Sequence, residues 1–414
     1  MECLEIKRGR EEITGTIVLN GSKSISNRVL IIQALCEGEF EIKNLSSSDD
    51  TIALQKALTS TDTTIDIGAA GTTMRFLTAY FAVFGNQKIV LTGSERMKQR
   101  PIKILVDALL ELGADIQYFE NEDCPPLSIN AQKFKGGKLD INATVSSQYL
   151  SALLLIAPAL ENGLELSLVG ELVSRPYLEM TLNLMSYFGV KSEWKGNTIF
   201  IRPQKYKAKS IIIEADWSAA SYHYGVMAFA KKGKLKLNGL FENSVQGDSV
   251  LSSMMEFFGI QTTFLEDGVE LNKIGVSGKN FDFDFVKCPD LAQTIAVVCA
   301  GLKVQGSFKG LQTLAIKETD RTKALQTEFS KMNVRFERVG DAWKIYPENI
   351  VLDKKISIDT YHDHRMAMSF APLSMFFDNP MIVNQPNVVS KSYFYYWRDL
   401  EELGFEIKID KNEI

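Results

Sequence analysis

Histidine is scarce in this chain: three residues in 414, His223, His362 and His364, two of them in one short motif. A histidine-based metal centre therefore has few ligands to draw on. The five cysteines, Cys3, Cys36, Cys124, Cys288 and Cys299, are odd in number, widely spaced and mostly set in apolar segments. That pattern suits reduced core thiols and argues against a disulfide framework or a cysteine-based metal site. Long hydrophobic runs are missing, since the longest, 150–160, falls well short of the ~20 residues that span a bilayer. The first fifteen residues are charged and lack the apolar core of a signal peptide, so a cytoplasmic protein is expected, without membrane contact. Positive charge is not in surplus either. With 46 Lys and Arg against 51 Asp and Glu the net charge is −5, which leaves no overall electrostatic footprint for nucleic acid. An anionic ligand must be captured by a local cluster.

What the chain does have is length and repetition. At 414 residues it exceeds the size at which one core stops growing, so two domains are expected. Six segments follow one pattern, a small-residue helix, a short turn and a β-like run: SISNRVLIIQALCEGEFEIKNL, GTTMRFLTAYFAVFGNQKIVL, SSQYLSALLLIAPALENGLELSLVG, AASYHYGVMAFAKKGKLKLNG, LAQTIAVVCAGLKVQGSFKG and RMAMSFAPLSMFFDNPMIVN. After each comes a second helix and strand, as in ALLELGADIQYF, SMMEFFGIQTTF and LEELGFEIKI. Gly113, Gly189, Gly259, Asn333 and Gly404 recur in the turns at intervals of 70 to 76 residues, where a left-handed helix C-cap is expected. Generic α/β alternation explains one or two copies; six at a steady period indicate true repeats. Three per domain put the break and a hinge near 211–216.

The polar motifs stand at helix starts, where unpaired N–H groups and a partial positive charge favour anions. Gly21-Ser22-Lys23-Ser24-Ile25-Ser26-Asn27-Arg28 opens the first helix, and Gly68-Ala69-Ala70-Gly71-Thr72-Thr73-Met74-Arg75 the second. Arg100-Pro101, Ser146-Ser147-Gln148 and Ser174-Arg175-Pro176-Tyr177 read as further helix starts. In the second half stand Cys288-Pro289-Asp290, Lys317-Glu318-Thr319-Asp320-Arg321-Thr322, His362-Asp363-His364-Arg365 and Ser390-Lys391, the last read as opening the final helix. Singly, each is explained by a capping residue or a solvated charge. His362 and His364, two apart at a helix start with no third ligand, make a poor metal clamp. Together the motifs supply Lys23, Arg28, Arg75, Arg100, Lys317, Arg321, Arg365 and Lys391 at equivalent places in a net acidic chain. They imply a ligand carrying phosphates or carboxylates, held between the two halves.

In motif order the chain resembles the 5-enolpyruvylshikimate-3-phosphate synthases of the shikimate pathway. GSKSISNR, GTTMR, LTGSERMKQRPI, SSQYLSALL, SRPYLEMT, PDLAQTIA, KETDR, DHRMAM and SKS run from Lys23 to Lys391, and KETDR with DHRMAM is the most specific pair. The resemblance implies an α/β fold of two domains, an inside-out α/β barrel with six βαβαββ repeats, three per domain. It places residues 1–18 with 216–414 in one domain and 19–215 in the other. It implies enolpyruvyl transfer from phosphoenolpyruvate to the 5-hydroxyl of shikimate 3-phosphate through a tetrahedral intermediate, with no cofactor or metal, in a monomer. Shikimate 3-phosphate is then expected on Lys23, Ser24, Arg28, Ser146, Ser147, Gln148, Ser174, Tyr177, Asp290 and Lys317. Phosphoenolpyruvate is expected on Lys23, Gly71, Arg100, Gln148, Arg321, Arg365 and Lys391. Asp290 becomes the base for the attacking hydroxyl and Glu318 the acid at the methylene carbon, with Lys23 and His364 as further proton-transfer candidates.

Three positions depart from the family pattern: Ala69 for its usual Asn, Phe76 for its usual Pro, and Thr313 for a polar residue four before Lys317. The first two bear on the phosphoenolpyruvate pocket and on the herbicide glyphosate, for which Gly71 leaves room. The related UDP-N-acetylglucosamine enolpyruvyl transferases carry a reactive Cys in the loop before the Arg-Pro motif, and the loop Thr92–Arg100 here has none. A nucleic-acid enzyme is disfavoured by the charge balance, and a repeat scaffold gives no reason for Asp290 and Glu318 to accompany eight cations.

Overall fold

The computed structural model describes residues 2–7, 11–85, 87–143, 146–170, 172, 175–352 and 355–411. Ser174, expected above as a substrate ligand, lies outside the described residues. The chain forms two compact units, one of Met1–Asn20 with Glu214–Ile414, the other of Gly21–Ile213. Among the described residues no helix is long and apolar enough to cross a membrane.

Each small-residue segment forms a buried helix that feeds a strand. In unit 1 these helices are Trp217–Phe229, Ala292–Gly301 and His364–Phe370, followed by strands Lys232–Asn238, Gln305–Lys309 and Met381–Asn384. Helices apolar on all sides are core elements rather than amphipathic surface ones: twelve of the thirteen residues of Trp217–Phe229 are buried. Each large apolar side chain so buried contributes about 1.5–3 kcal/mol. Small residues let the helices approach. A Cβ on Gly301 would sit 2.6 Å from Phe229 Cε1, so glycine is required there despite its cost of about 1 kcal/mol in a helix. Hydroxyls tie the three helices across this core, Ser221 Oγ to Thr294 Oγ1 at 3.1 Å and Thr294 Oγ1 to Ser369 Oγ at 3.2 Å.

Unit 2 is built alike from helices Lys23–Leu35, Gly71–Val83 and Ser147–Ile156. Five four-stranded sheets cover the helices of the two units, and all share one order: a parallel pair, then two antiparallel neighbours. In one, Thr64–Asp66 runs parallel to Lys88–Thr92, which pairs antiparallel with Leu127–Asn130, and that strand with Asp115–Tyr118. The N-terminal strands serve unit 1: Glu2–Lys7 lies between Met381–Asn384 and Glu406–Lys411, and Glu12–Val18 runs parallel to Lys232–Asn238. Strand Ile42–Lys43 has the parallel partner Ile211–Ile212 alone among described strands. Gly113, Gly189, Gly259, Asn333 and Gly404 all have positive φ, between 56° and 105°, as the C-cap reading requires.

Two helix starts differ from expectation. Arg100-Pro101 precedes its helix, which begins at Lys103 after a 3₁₀ turn Met97–Gln99. Ser390-Lys391 closes the 3₁₀ turn Pro386–Lys391, and the last helix begins at Tyr396. The intervening residues are held by a buried polar triad. His223 Nε2 is 2.8 Å from Tyr393 Oη, which donates to Asp399 Oδ2 at 2.7 Å. With the tyrosine proton given to Asp399, the imidazole donates from Nε2 and stays neutral.

Burial holds His223 down to a pKa of about 3, against about 6.5 for an unfolded histidine. As pH falls through that window the unfolded chain binds a proton that the folded chain refuses, so this group costs about 1.4 kcal/mol of stability per pH unit. His223→Phe fills the volume without titrating. Urea unfolding at pH 7 and pH 5 should show the wild type losing about 2 kcal/mol more than the variant over that interval; equal losses would contradict a neutral, buried imidazole.

Candidate active site

In unit 1 one guanidinium organises the charged residues. Arg321 opens the helix Arg321–Lys331, capped by Asp320, whose side chain accepts from Lys323 N. Its Nε donates to Asp363 Oδ2 at 2.7 Å, Nη1 to Asp290 Oδ1 at 2.9 Å, and Nη2 to Glu318 Oε2 at 2.8 Å. The Arg321 side chain is 2% exposed. Burial alone would depress its pKa, but Asp363, Glu318 and Asp290 together raise it instead. Planar donors in a fork can serve three carboxylates at once, which an ammonium cannot.

Two of these carboxylates are placed by helix starts, and Glu318 lies in the bend just before the helix of Arg321. Asp363 caps His364–Phe370, accepting from Arg365 N at 2.9 Å. Asp290 lies within the 3₁₀ turn Pro289–Leu291 that leads into Ala292–Gly301. Its other oxygen is 3.2 Å from Arg365 Nη2, and Lys317 Nζ is 3.7 Å from Oδ1. Arg365 Nη1 also donates to Tyr222 Oη and to the Asp290 carbonyl, both at 3.3 Å, and Nη2 to Ser218 Oγ at 3.3 Å. The starts of all three core helices thus meet at Arg365. His364 is buried, its Nδ1 3.7 Å from Asp363 Oδ1. Lys391 is half-buried at the end of its 3₁₀ turn.

Unit 2 carries a second cationic group. Lys23 Nζ is 3.8 Å from Asp50 Oδ2, and Asp50 is fixed by Thr73, whose hydroxyl donates to its carboxylate at 3.0 Å and to its carbonyl at 2.7 Å. Gly71 opens the second helix against Arg100: a Cβ there would meet Arg100 Nη1 at 2.7 Å. Arg75 lies behind, donating to Gly71 O at 3.0 Å, its pKa lowered by burial first and by the charge of Arg100 next. Gln148 Nε2 donates to Thr72 Oγ1 at 3.1 Å, and Ser146 caps the helix of Ser147 and Gln148. Tyr177 and Ser24 are half-buried.

Arg28 differs from the other cations. It is buried, donating to Thr181 Oγ1 at 2.7 Å, Ser151 Oγ at 2.8 Å and Ser24 O at 2.8 Å, with burial lowering its pKa to about 10. Phe76, one of the departures from the family pattern, packs its ring 5.5 Å below this guanidinium. Here Arg28 braces Ser24 and the neighbouring helix. Lys317, Glu318, Arg321, Asp290 and Arg365 are brought together, as are Gly71 with Arg100. Sequence reasoning did not single out Asp50, Asp363, Ser218 or Tyr222 for roles. Asp50 and Asp363 look like ordinary N-caps in sequence, and only tertiary contacts reveal their cations. Among the described residues no group of three His, Cys, Asp or Glu is arranged to hold a metal ion.

The family model described as EPSP synthase (3-phosphoshikimate 1-carboxyvinyltransferase) matches residues 7–60 and 52–400. The chain is similar to the 3-phosphoshikimate 1-carboxyvinyltransferase of Bacteroides fragilis strain YCH46, 48% identical over 400 residues that cover 96% of this chain and 97% of that one. Its similarity to the Haemophilus influenzae strain KW20 protein of the same name is 38% over 427 residues, covering 94% and 96%. A solved EPSP synthase structure from Acinetobacter baumannii superposes with a TM-score of 0.83 at 20% identity, covering 99% of this chain and all of that one. It shows the shared mixed α/β fold.

Removing the shared cation should expose its importance. Arg321→Met leaves Asp290, Glu318 and Asp363 facing one another, and denaturant unfolding at pH 7.5 should show a loss of about 3–5 kcal/mol in unit 1. The loss should shrink toward pH 5, where protonation relieves the repulsion. A loss under about 1 kcal/mol at pH 7.5 would mean that the pairs are surface-like in energy.

Proposed function

The chain belongs to the EPSP synthase family and catalyses its reaction, enolpyruvyl transfer from phosphoenolpyruvate to shikimate 3-phosphate, and we propose that its two charged clusters share that chemistry as follows. In unit 1 Asp290 takes the proton of the 5-hydroxyl as that oxygen attacks C2 of the enol, while Glu318 delivers a proton to C3. Phosphate then leaves from C2 of the tetrahedral intermediate carrying the proton that Asp290 had taken, and Glu318 recovers the C3 proton, so that both carboxyl groups return to their starting state. The observation that carries this reading is that Asp290 and Glu318 sit on one guanidinium, 2.9 and 2.8 Å from Arg321. A carboxylate that also faces Arg365 and Lys317 is suited to act as a base. Lys23 and His364 remain second candidates for proton transfer.

Arg321, Arg365 and Lys391 then hold the phosphoenolpyruvate, with Lys23, Gly71, Arg100 and Gln148 from unit 2. Shikimate 3-phosphate takes Lys23, Ser24, Arg28, Ser146, Ser147, Gln148, Ser174, Tyr177, Asp290 and Lys317. Guanidinium groups suit both tasks because they match carboxylate and phosphate oxygens two at a time. We further infer six βαβαββ repeats, three per domain, arranged as an inside-out barrel; the common strand order of five sheets supports this. We infer domains of 1–18 with 216–414 and of 19–215, with a hinge near 211–216 from the same repeats and the place of the N-terminal strand from the family resemblance. Five free cysteines support a cytoplasmic location.

Phosphate release from phosphoenolpyruvate, followed with and without shikimate 3-phosphate, tests the reading: release should require both, and release that ignores shikimate 3-phosphate would sink it. Gly71→Ala should push Arg100 aside and raise KM for phosphoenolpyruvate by about tenfold, the worth of one charged contact, with KM for shikimate 3-phosphate nearly unchanged. Glu318→Gln should slow turnover by roughly 10²- to 10⁴-fold and suppress solvent-deuterium entry into the methylene of phosphoenolpyruvate. Wild-type deuterium exchange in that variant would move the acid role to His364 or Lys23.

A further inference from the structure

Asp248 is a carboxyl that the mechanism above does not use. It lies on the 3₁₀ turn Gly247–Val250 and is 5% exposed. Ser218 Oγ donates a short hydrogen bond to its Oδ2, and the same Oγ accepts from Arg365 Nη2 at 3.3 Å. One hydroxyl therefore separates Asp248 from the guanidinium assigned to the donor substrate. The charged and titratable groups that face it are Asp290, Arg365, Asp216 at the start of Trp217–Phe229, and the thiol of Cys288. Burial first and Asp290 next raise the Asp248 pKa, against a smaller opposing pull from Arg365. Burial holds the Cys288 thiol neutral.

The charges around Arg365 do not balance. With Glu318 holding the proton that it delivers, Asp290, Asp363 and Asp248 stand against Lys317, Arg321 and Arg365, and Asp216 adds a further carboxylate facing Asp248. An anion adds to that excess unless a proton enters, and of Asp290, Asp363 and Asp248 the last is the one with no cation within ion-pair distance among the described residues. Protonation also redirects Ser218. While Asp248 is ionised, the Ser218 hydrogen points at it; once it is protonated, Asp248 donates to Ser218 Oγ and the serine hydrogen is released toward an incoming oxyanion.

We propose that Asp248 is a positioning residue for Arg365, acting through Ser218, and that the anionic donor substrate binds with uptake of a proton on Asp248. This rests on the reading of Arg365 as a phosphoenolpyruvate ligand. By linkage, the protonated form favours anion binding, so affinity for phosphoenolpyruvate falls as pH rises through the Asp248 titration.

The test is KM for phosphoenolpyruvate, KM for shikimate 3-phosphate and kcat across pH 6 to 9 for the wild type, Asp248→Asn and Arg365→Gln. Asp248→Asn keeps a hydrogen-bonding group and cannot ionise. The rise of the phosphoenolpyruvate KM with pH should be flatter in that variant by about fivefold, the low end of a typical coupling; the ligand's own ionisation cancels in the comparison. Its melting temperature should also exceed that of the wild type, by a margin that widens from pH 5 to pH 8, because ionising a buried carboxyl costs the folded state. A KM profile that keeps the wild-type slope overturns the proposal, provided Arg365→Gln still raises the phosphoenolpyruvate KM. If Arg365→Gln leaves that KM unchanged, the assignment of Arg365 fails and this proposal fails with it. Should Asp248→Asn not fold, Ser218→Ala decides: cutting the hydrogen-bond path should raise the phosphoenolpyruvate KM severalfold while KM for shikimate 3-phosphate stays within about twofold, and no change overturns the proposal.

Discussion

Three carboxylates share one buried guanidinium, and unit 1 is arranged to make that possible. Arg321 is 2% exposed and bonds Asp363, Asp290 and Glu318 at 2.7 to 2.9 Å. Taking an ion out of water costs several kcal/mol, repaid only where geometry is good and every donor is used. Arg321 meets that condition through Asp290 leading into the second core helix, Asp363 capping the third and Glu318 just before its own helix, while Ser218 and Tyr222 of the first serve Arg365. The close packing of the core helices depends on Ala, Ser and Gly at the contacts, and a larger residue at Gly301 would drive Phe229 away. The charged cluster and the core of unit 1 are therefore the same construction viewed from two ends.

A site whose charges are already paired before ligand arrives needs little reorganisation when charge develops in the transition state. Asp290 and Glu318, which hold Arg321 in place, are also the groups proposed to move protons, so in that proposal placement and chemistry use the same residues. Unit 2 is organised on other terms. The pKa of Arg75 is lowered by burial first and by the charge of Arg100 next, and Lys23 has Asp50 at 3.8 Å. That local excess of positive charge is suited to an anionic ligand. Arg28, bound to Thr181, Ser151 and Ser24, gives the helix start its rigidity.

Much of this was legible in the sequence because repetition made it so. Ala- and Ser-rich segments with polar starts announced the buried helices, and Gly or Asn at the recurring C-caps marked the turns. The family pattern named Asp290, Glu318, Arg321 and Arg365, which the structure brings together. What sequence could not show is which polar residues meet across hundreds of positions. Asp363 reads as a cap until Arg321 is found on it, and Asp248 in Val245-Gln246-Gly247-Asp248 carries no local sign of Ser218 or Arg365. His223 lies 170 residues from Tyr393, which is six from Asp399, so their triad is visible in three dimensions alone. Two helix starts were misplaced because a 3₁₀ turn carries the same capping residues as an α-helix: Met97–Gln99 precedes Arg100, and Pro386–Lys391 ends where a helix was expected to begin.

The central claim is that Arg321 and Arg365, held by their own carboxylates, form a ready-made anion site. A crystal structure of the chain with shikimate 3-phosphate and glyphosate bound tests it most directly. The account predicts a ligand carboxylate within hydrogen-bond distance of both guanidinium groups, with the Arg321–Asp363 pair still near its present 2.7 Å. A ligand touching neither guanidinium, or an Asp363 that has left Arg321, would contradict it.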